Sequence, residues 1–408
     1  MLFLYNFIVR IAWQVLKIVA FFSTKIKLFV NGRKSTIAIL QSKIKPTDKS
    51  IWFHCASLGE YEQGLPVMQQ IKTTYPNHKL VISFFSPSGY EIQKNNTFAD
   101  ATVYLPLDTK QNAKQFIAAV KPDLVFFVKY EFWPNYLIEL KKQHIKTYLI
   151  SAIFRPNQVF FKWYDPFYRQ ALQAFEYFFV QNESSKILLN SIGFSNVLIS
   201  GDTRFDRVAS ILTQNNTLDY IAEFTNNCIT IVVGSSWPKD ESIIVKYINN
   251  APKNCKFIIA PHNIKTEQIA NLKSQINKKI VLFSDKQGVD LSNFDVFIID
   301  TIGLLTKIYS YADIAYVGGG FGNSGVHNIL EPAAYGIPIV IGPNYNHFAE
   351  AIALVHQQGC ISVNSEAALN DTFTNLISNA DIRQEKGHIC KTFVEMNKGA
   401  TARIINNL

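Results

Sequence analysis

Two stretches carry side chains and backbone that chemistry could use. The first follows the strand-like run Ile314–Val317, which stops in glycine: five glycines fall between Gly318 and Gly325, and a helix-like run opens at His327. A strand ending in a glycine turn that opens a helix presents backbone N–H groups and the positive end of a helix dipole, a geometry suited to a phosphate or a nucleotide. Gly320-Phe-Gly322-Asn-Ser-Gly325 formally matches G-x-G-x-x-G. The next strand, however, ends Val340-Ile-Gly-Pro343 without the carboxylate that a dinucleotide ribose requires. What remains is a nucleotide-phosphate loop without a dinucleotide, or a tight structural turn. His327, Asn328 and Glu331 follow, with Glu331 one helical turn beyond His327, so both can face a ligand on the loop. A carboxylate there accepts hydrogen bonds from ribose hydroxyls, or simply complements the helix N-terminus.

The second stretch is Ser57-Leu-Gly-Glu60, after the strand Ile51–Cys55. Ser-x-x-Glu is the spacing of a capping box, with Ser57 as N-cap and Glu60 as the third helical residue. The same Glu60 stands at the carboxyl edge of the first strand, where a carboxylate can act as general base on an acceptor hydroxyl. Polar residues end other strands too: Ser86-Pro-Ser-Gly89, Glu131-Phe-Trp-Pro-Asn135 and Gly234-Ser235-Ser236-Trp237.

The elements that position these residues alternate strand with helix, which implies a parallel sheet with helices on both faces and ligands beyond the strand carboxyl ends. Strands are expected at 51–55, 79–85, 102–105, 123–128, 147–151, 177–180 and 197–200, and again at 229–233, 256–259, 279–283, 296–299, 314–317 and 337–341. Asp108 is expected to cap a helix over 109–120, and helices are expected from Glu60 and over 328–335. The pattern weakens between Gly201 and Asn227, the expected linker. The organisation predicted is an N-terminal segment at 1–45, an acceptor-side Rossmann-like domain at 46–210, and a nucleotide-binding Rossmann-like domain at 211–408 with closing helices at 381–405. Two such domains would leave a cleft faced by the strand ends of both.

With 48% apolar and 17% charged residues the chain is globular rather than disordered. A net charge of +9 favours an anionic partner: nucleic acid, a phosphorylated substrate or an acidic membrane. The five cysteines form no CxxC pair; Cys55, Cys228 and Cys255, in or beside apolar strands, read as buried thiols, and a reducing compartment is the inference. Residues 1–30 are apolar and aromatic, and Leu2, Phe3, Phe7, Ile11, Val15, Ile18 and Phe22 recur at spacings of three and four between basic residues. No uninterrupted apolar run reaches the ~18 residues of a clean spanning helix. The expectation is an interfacial anchor on an anionic leaflet, with a spanning helix and a buried core helix as alternatives.

From Ile51 to Phe348 the chain resembles the 3-deoxy-D-manno-octulosonic acid (Kdo) transferases of lipopolysaccharide biosynthesis. The landmarks are Ser57-x-Gly59-Glu60, Ser86-Pro-Ser-Gly89, Leu105-Pro-Leu-Asp108, Glu131-Phe-Trp-Pro-Asn135, Gly201-x-x-Arg204-Phe205-Asp206 and the glycine loop with His327-Asn328-x-x-Glu331-Pro332. The resemblance implies an α/β fold of GT-B type, CMP-Kdo as donor and a lipid A precursor as acceptor. It further implies inversion without a metal or other cofactor, on the cytoplasmic face of the inner membrane, with an anionic membrane surface rather than nucleic acid as partner. Glu60 matches the family's catalytic base, and Glu131 is the second catalytic candidate. Ser235, His262, Gly318, Gly319, Gly320, His327, Asn328 and Glu331 are the candidates for holding the donor. Several positions depart from the family pattern. Ala260-Pro261-His262 lacks the usual arginine, Lys129 stands where a first carboxylate is usual, Gly320 replaces a serine, Val326 a glycine, and His347 an asparagine. The alternatives are a GT-B enzyme using a UDP-sugar and a catalytically silent membrane-bound scaffold.

Overall fold

Six consecutive residues, Ser50-Ile-Trp-Phe-His-Cys55, are all buried, which requires a strand covered on both faces. They belong to β1 (Lys49–Cys55) of the computed structural model, which describes residues 2–162, 166–323 and 325–408. Met1 and Ser324, the latter inside the G-x-G-x-x-G match, lie outside the described residues. The other strands of this sheet are β2 (His78–Phe84), β3 (Ala101–Tyr104), β4 (Pro122–Val128), β5 (Lys146–Ala152), β6 (Tyr177–Val180) and β7 (Val197–Ile199). They run parallel in the order β3-β2-β1-β4-β5-β6-β7. The two-residue period of a strand divides β1 and β4 between two cores. Trp52 and Phe127 join the cluster on one face. Phe53 and Phe126 stack at 4.5 Å on the other.

A second parallel sheet is built from β8 (Ile229–Ser236), β9 (Cys255–Pro261), β10 (Ile280–Leu282), β11 (Val296–Ile298), β12 (Ile314–Val317), β13 (Ile339–Ile341) and β14 (Cys360–Ser362). Its order is β10-β11-β9-β8-β12-β13-β14. Strand order reverses between β1 and β4 in one sheet and between β8 and β12 in the other. Such switch points are where doubly wound sheets receive ligands.

The chain divides into two compact units, Met1–Arg207 with Lys398–Leu408, and Val208–Asn397. This differs from the expected 46–210 and 211–408. The boundary falls inside the helix Thr203–Ile211, and the stretch taken as a linker holds that helix and a second, Asp219–Thr225. The N-terminal segment is part of the first unit, and so is the last helix, Ala400–Ile405. Asp206 fixes the returning chain, accepting from the N–H groups of Gly399 at 2.5 Å and Thr401 at 2.6 Å. Arg403 donates to the Ser200 carbonyl at 2.7 Å, and Ile404 enters the core beside Met68 and Ile71. A chain return of this kind leaves no local mark in sequence.

The N-terminal helix runs unbroken from Leu2 to Val19 and buries none of its residues, which sets aside the buried core helix. Phe3, Phe7, Ile11, Val15 and Ile18 face outward, and Phe21 and Phe22 beyond it are each 87% exposed. By length and composition this helix could cross a membrane, with Arg10 and Lys17 inside it. It rests on the first unit through the Tyr5 hydroxyl, which donates to Asp108 Oδ2 at 2.8 Å.

Asp108 does not cap the helix that follows it. That helix is Lys110–Val120, and Thr109 Oγ1 caps it by accepting from Asn112 N. The Asp108 carboxylate instead accepts from the N–H groups of Asn135 and Tyr136, each at 3.1 Å, and so caps the helix Pro134–Lys142 from a distance in sequence. Asp108 is 1% exposed, and burial pushes its carboxyl up to about 6, ahead of the opposing hydrogen bonds from Tyr5, Asn135 and Tyr136. Asp108→Ala leaves two buried N–H groups without an acceptor, so chemical denaturation at pH 7 should show a loss of about 2 kcal/mol. An unchanged midpoint would show that this cap contributes nothing to stability.

Candidate active site

At the β1/β4 switch point, Glu60 is the third residue of the helix Leu58–Thr74. Only half of the expected capping box forms. The Ser57 side chain makes no cap hydrogen bond, whereas the Glu60 carboxylate reaches back to accept from Ala56 N. Glu60 is 9% exposed, and its carboxyl is pushed up to about 7. Burial is the largest cause and the Glu131 carboxylate adds to it; the Ala56 N–H, Lys129 and the Ser57 N–H oppose them. A carboxyl balanced near neutrality in this way is suited to taking a proton at physiological pH.

Glu131 sits just past β4. Trp133 Nε1 donates to its Oε2 at 2.8 Å, and His54 Nε2 lies 3.1 Å from the same oxygen. His54 is fully buried within β1. Its Nδ1 lies 2.9 Å from Ser83 Oγ, which also accepts from Trp52 Nε1 at 2.7 Å. Trp133 Nε1 also lies 3.0 Å from His54 Nε2, so Glu131, His54 and Trp133 form one hydrogen-bonded cluster. The set holds the Glu131 charge in place beside Glu60. His54 was absent from the sequence candidates, although a histidine within a strand otherwise read as buried and apolar is a signal. Lys129, whose charge opposes the upward shift of Glu60, has a left-handed backbone with φ +70°. Such strain in a non-glycine residue is concentrated at functional sites.

In the second unit the β8/β12 switch point gathers Ser235, Trp237, His262, His327 and the glycine loop. Close backbone packing explains two of the glycines. A Cβ on Gly318 would collide with the Ser235 backbone oxygen, and one on Gly320 would lie 2.7 Å from Gly342 backbone atoms. Ser235 itself has a left-handed φ of +52°. The loop's N–H groups are not bare as expected. Asp240, fully buried as the third residue of the helix Pro238–Asn250, accepts from Gly319 N at 2.8 Å, Phe321 N at 3.4 Å, Trp237 N at 3.0 Å and the Tyr316 hydroxyl at 2.8 Å. The protein's own carboxylate therefore occupies part of the anion cradle. Asp240 was not foreseen, because its role lies in reaching across the sheet rather than in a local motif.

The helix expected from His327 begins only at Leu330 and ends at Ala334. His327 precedes it and does not share a helical face with Glu331. Trp237 Nε1 donates to His327 Nε2 at 2.8 Å. Trp237 stacks on His262 at 4.5 Å, and the two histidine rings are also 4.5 Å apart. Burial lowers the pKa of both, and the neighbouring His262 lowers that of His327 further. Neutral His327 thus accepts at Nε2 and keeps its proton at Nδ1. Glu331 accepts from Thr306 Oγ1 at 2.9 Å and from Asn328 Nδ2 at 3.0 Å. The Asn328–Glu331 pair is formed, and His262 and His327 are brought together by Trp237. Beside the loop lies a cavity of about 360 Å³ lined by Gly322, Asn323, Gly325, Asn344, Asn346, His347 and Phe348.

Residues 31–207 match the family model described as 3-deoxy-D-manno-octulosonic-acid transferase (kdotransferase). The chain is 28% identical to a 3-deoxy-D-manno-octulosonic acid transferase of Chlamydophila psittaci, over 78% of this chain and 76% of that protein. It is also 28% identical to one of Chlamydia trachomatis, over 92% of this chain and 90% of that protein. Among solved structures it is similar to the UDP-GlcNAc 2-epimerase of Neisseria meningitidis, with a TM-score of 0.62 and 17% identity over 88% of this chain and 98% of that one. This structural likeness bears on the fold alone, which is of GT-B type with two doubly wound Rossmann-like domains.

The raised Glu60 carboxyl has a signature in stability. The folded chain keeps this proton to about pH 7, while the unfolded chain releases it near 4.5. The favourable contribution is therefore present below the unfolded value and is lost as pH rises through 7. Glu60→Gln should be more stable than the parent by about 2–3 kcal/mol at pH 8, with the gap closing by pH 4. A pH-independent difference in denaturation midpoints would show that Glu60 titrates normally.

Proposed function

We propose, from the chain's homology to the 3-deoxy-D-manno-octulosonic acid transferases, that this glycosyltransferase moves Kdo from CMP-Kdo to a lipid A precursor with inversion at the anomeric carbon. The observation that carries the mechanism is the buried Glu60, balanced near neutrality at a sheet switch point. Ionised Glu60 takes the proton of a glucosamine hydroxyl as its oxygen bonds to the Kdo anomeric carbon. The bond from that carbon to the CMP phosphate breaks, and CMP leaves with the electron pair. Glu131, fixed by Trp133 and His54, is the second catalytic carboxylate, and its charge strengthens the base. On the donor side Ser235, His262, Gly318, Gly319, Gly320, His327, Asn328 and Glu331 hold CMP-Kdo. Asp240 acts there by shaping the loop, since it already engages two loop amides.

The outward apolar face of the helix Leu2–Val19 and the net charge of +9 support association with the anionic, cytoplasmic face of the inner membrane rather than with nucleic acid. The proposed reaction needs no metal. Transfer should proceed unchanged in excess EDTA, and loss of rate restored by Mg²⁺ would overturn that part.

The decisive assay supplies purified protein with CMP-Kdo or UDP-sugars and a tetraacylated lipid A precursor. Transfer of Kdo alone is expected, and use of a UDP-sugar instead would favour the alternative donor. Glu60→Ala should lower kcat by about 10²–10⁴-fold in a folded protein. Near-normal turnover with a lowered Tm would reduce Glu60 to a cap. The kcat/KM of the parent should rise with pH through an apparent pKa near 7, matching Glu60. Glu131→Gln should move that value down, because removing a like charge favours the ionised form.

A further inference from the structure

Beneath the N-terminal helix lies a cavity of about 200 Å³ lined by Val9, Arg10 and Trp13 of that helix, and by Arg33, Lys34, Pro106, Leu107, Thr109 and Asn112. Three of these side chains are cationic. None of the three makes an ion pair among the described residues. Asp108, between the lining residues Leu107 and Thr109, is turned toward Tyr5, Asn135 and Tyr136.

Arg33 is the unusual member. It is 7% exposed and lies over the rings of Phe29, Phe85 and Tyr104. Its Nη1 and Nη2 donate to the carbonyls of Phe29 at 2.7 Å and Phe85 at 2.6 Å, while Nε is buried with no partner. Burial lowers its pKa to about 9, which still leaves it charged at neutral pH. A buried cation without a counter-ion is costly unless something anionic completes it. The volume exceeds the ~30 Å³ share of one water several times over, enough for a phosphate group. The same helix presents Phe7, Ile11, Val15 and Ile18 to the outside, so the cavity lies under a surface fitted to acyl chains.

We propose that this cavity binds the phosphomonoester of a membrane lipid, in the first place the phosphate of the glycolipid acceptor. The inference deepens the proposed function and rests on it for the identity of that lipid. A phosphomonoester offers three acceptor oxygens and close to two negative charges. Arg10 and Lys34, both exposed, close on it, while Arg33 supplies a fixed positive wall.

The test uses the full chain, with Arg10→Ala/Lys34→Ala as the variant, because both side chains are exposed and their removal spares the Arg33 cage. Lys142→Ala/Lys146→Ala, also exposed, is the charge-matched control. Flotation with phosphatidylcholine vesicles doped with phosphatidic acid or, at equal surface charge, phosphatidylglycerol should show parent preference for the monoester. The cavity variant should lose about tenfold on phosphatidic acid, and the control should not. In transfer assays the variant's KM for a bisphosphorylated acceptor should rise about tenfold, with kcat and the donor KM unchanged, and a phosphatase-treated acceptor should abolish the difference. A vesicle effect without the KM effect assigns the cavity to a bulk lipid headgroup. Equal losses on both vesicle types, or equal losses in the control, would overturn the site in favour of diffuse charge. Absence of any transfer by the parent sinks the proposed reaction, while the vesicle arm still decides the cavity.

Discussion

A parallel sheet covered by helices on both faces has no inexpensive place for an ionisable group except at its ends. That constraint organises both units. Along β1 and β4 the side chains Trp52, Phe53, Phe126 and Phe127 are fully buried among other apolar groups. The polar chemistry is driven to the carboxyl edge, where Glu60, Glu131 and Lys129 follow the strands. His54 is the exception inside a strand, and every nitrogen of its ring has a polar neighbour. The second sheet does the same with Asp240, His262 and His327. The location of both sites follows from covering the sheets, before any ligand is considered.

The strand and helix alternation was legible because each buried strand is a short apolar run bounded by turn residues, so most strands stand within about two residues of where periodicity puts them. The turn to Leu330 was not, because Gly325 to Ile329 are held by tertiary contacts rather than helical ones. His327 donates its N–H to Gly318 O and accepts from Trp237, and Val326 N donates to Asn344 O. Asp108 shows the same limit. Its spacing to Thr109 reads as a local cap, yet its acceptors serve Asn135 and Tyr136. Spacing identifies which residues are able to cap; only the packed chain decides which helix they serve. The return of Ala400–Ile405 to the first unit was hidden for a related reason, since Asp206 and Gly399 are brought together solely by the fold.

Glu60 and Asp240 occupy the same station in their respective units: third residue of the helix that follows the strand next to the switch point. Each reaches back to a backbone N–H before its helix, Ala56 in one case and Trp237 in the other. The position therefore does not separate a structural carboxylate from a catalytic one, and neither does the capping geometry. The number of donors does. Asp240 gathers three backbone N–H groups and the Tyr316 hydroxyl, and so ties the glycine loop to its helix. Glu60 has the Ala56 and Ser57 N–H groups against burial and a neighbouring carboxylate, and stays near neutrality. A carboxylate whose lone pairs are taken up by the fold's own donors serves the fold. Glu60, with fewer donors set against burial and a neighbouring carboxylate, has its pKa raised toward neutrality at a station that Asp240 fills as a strut.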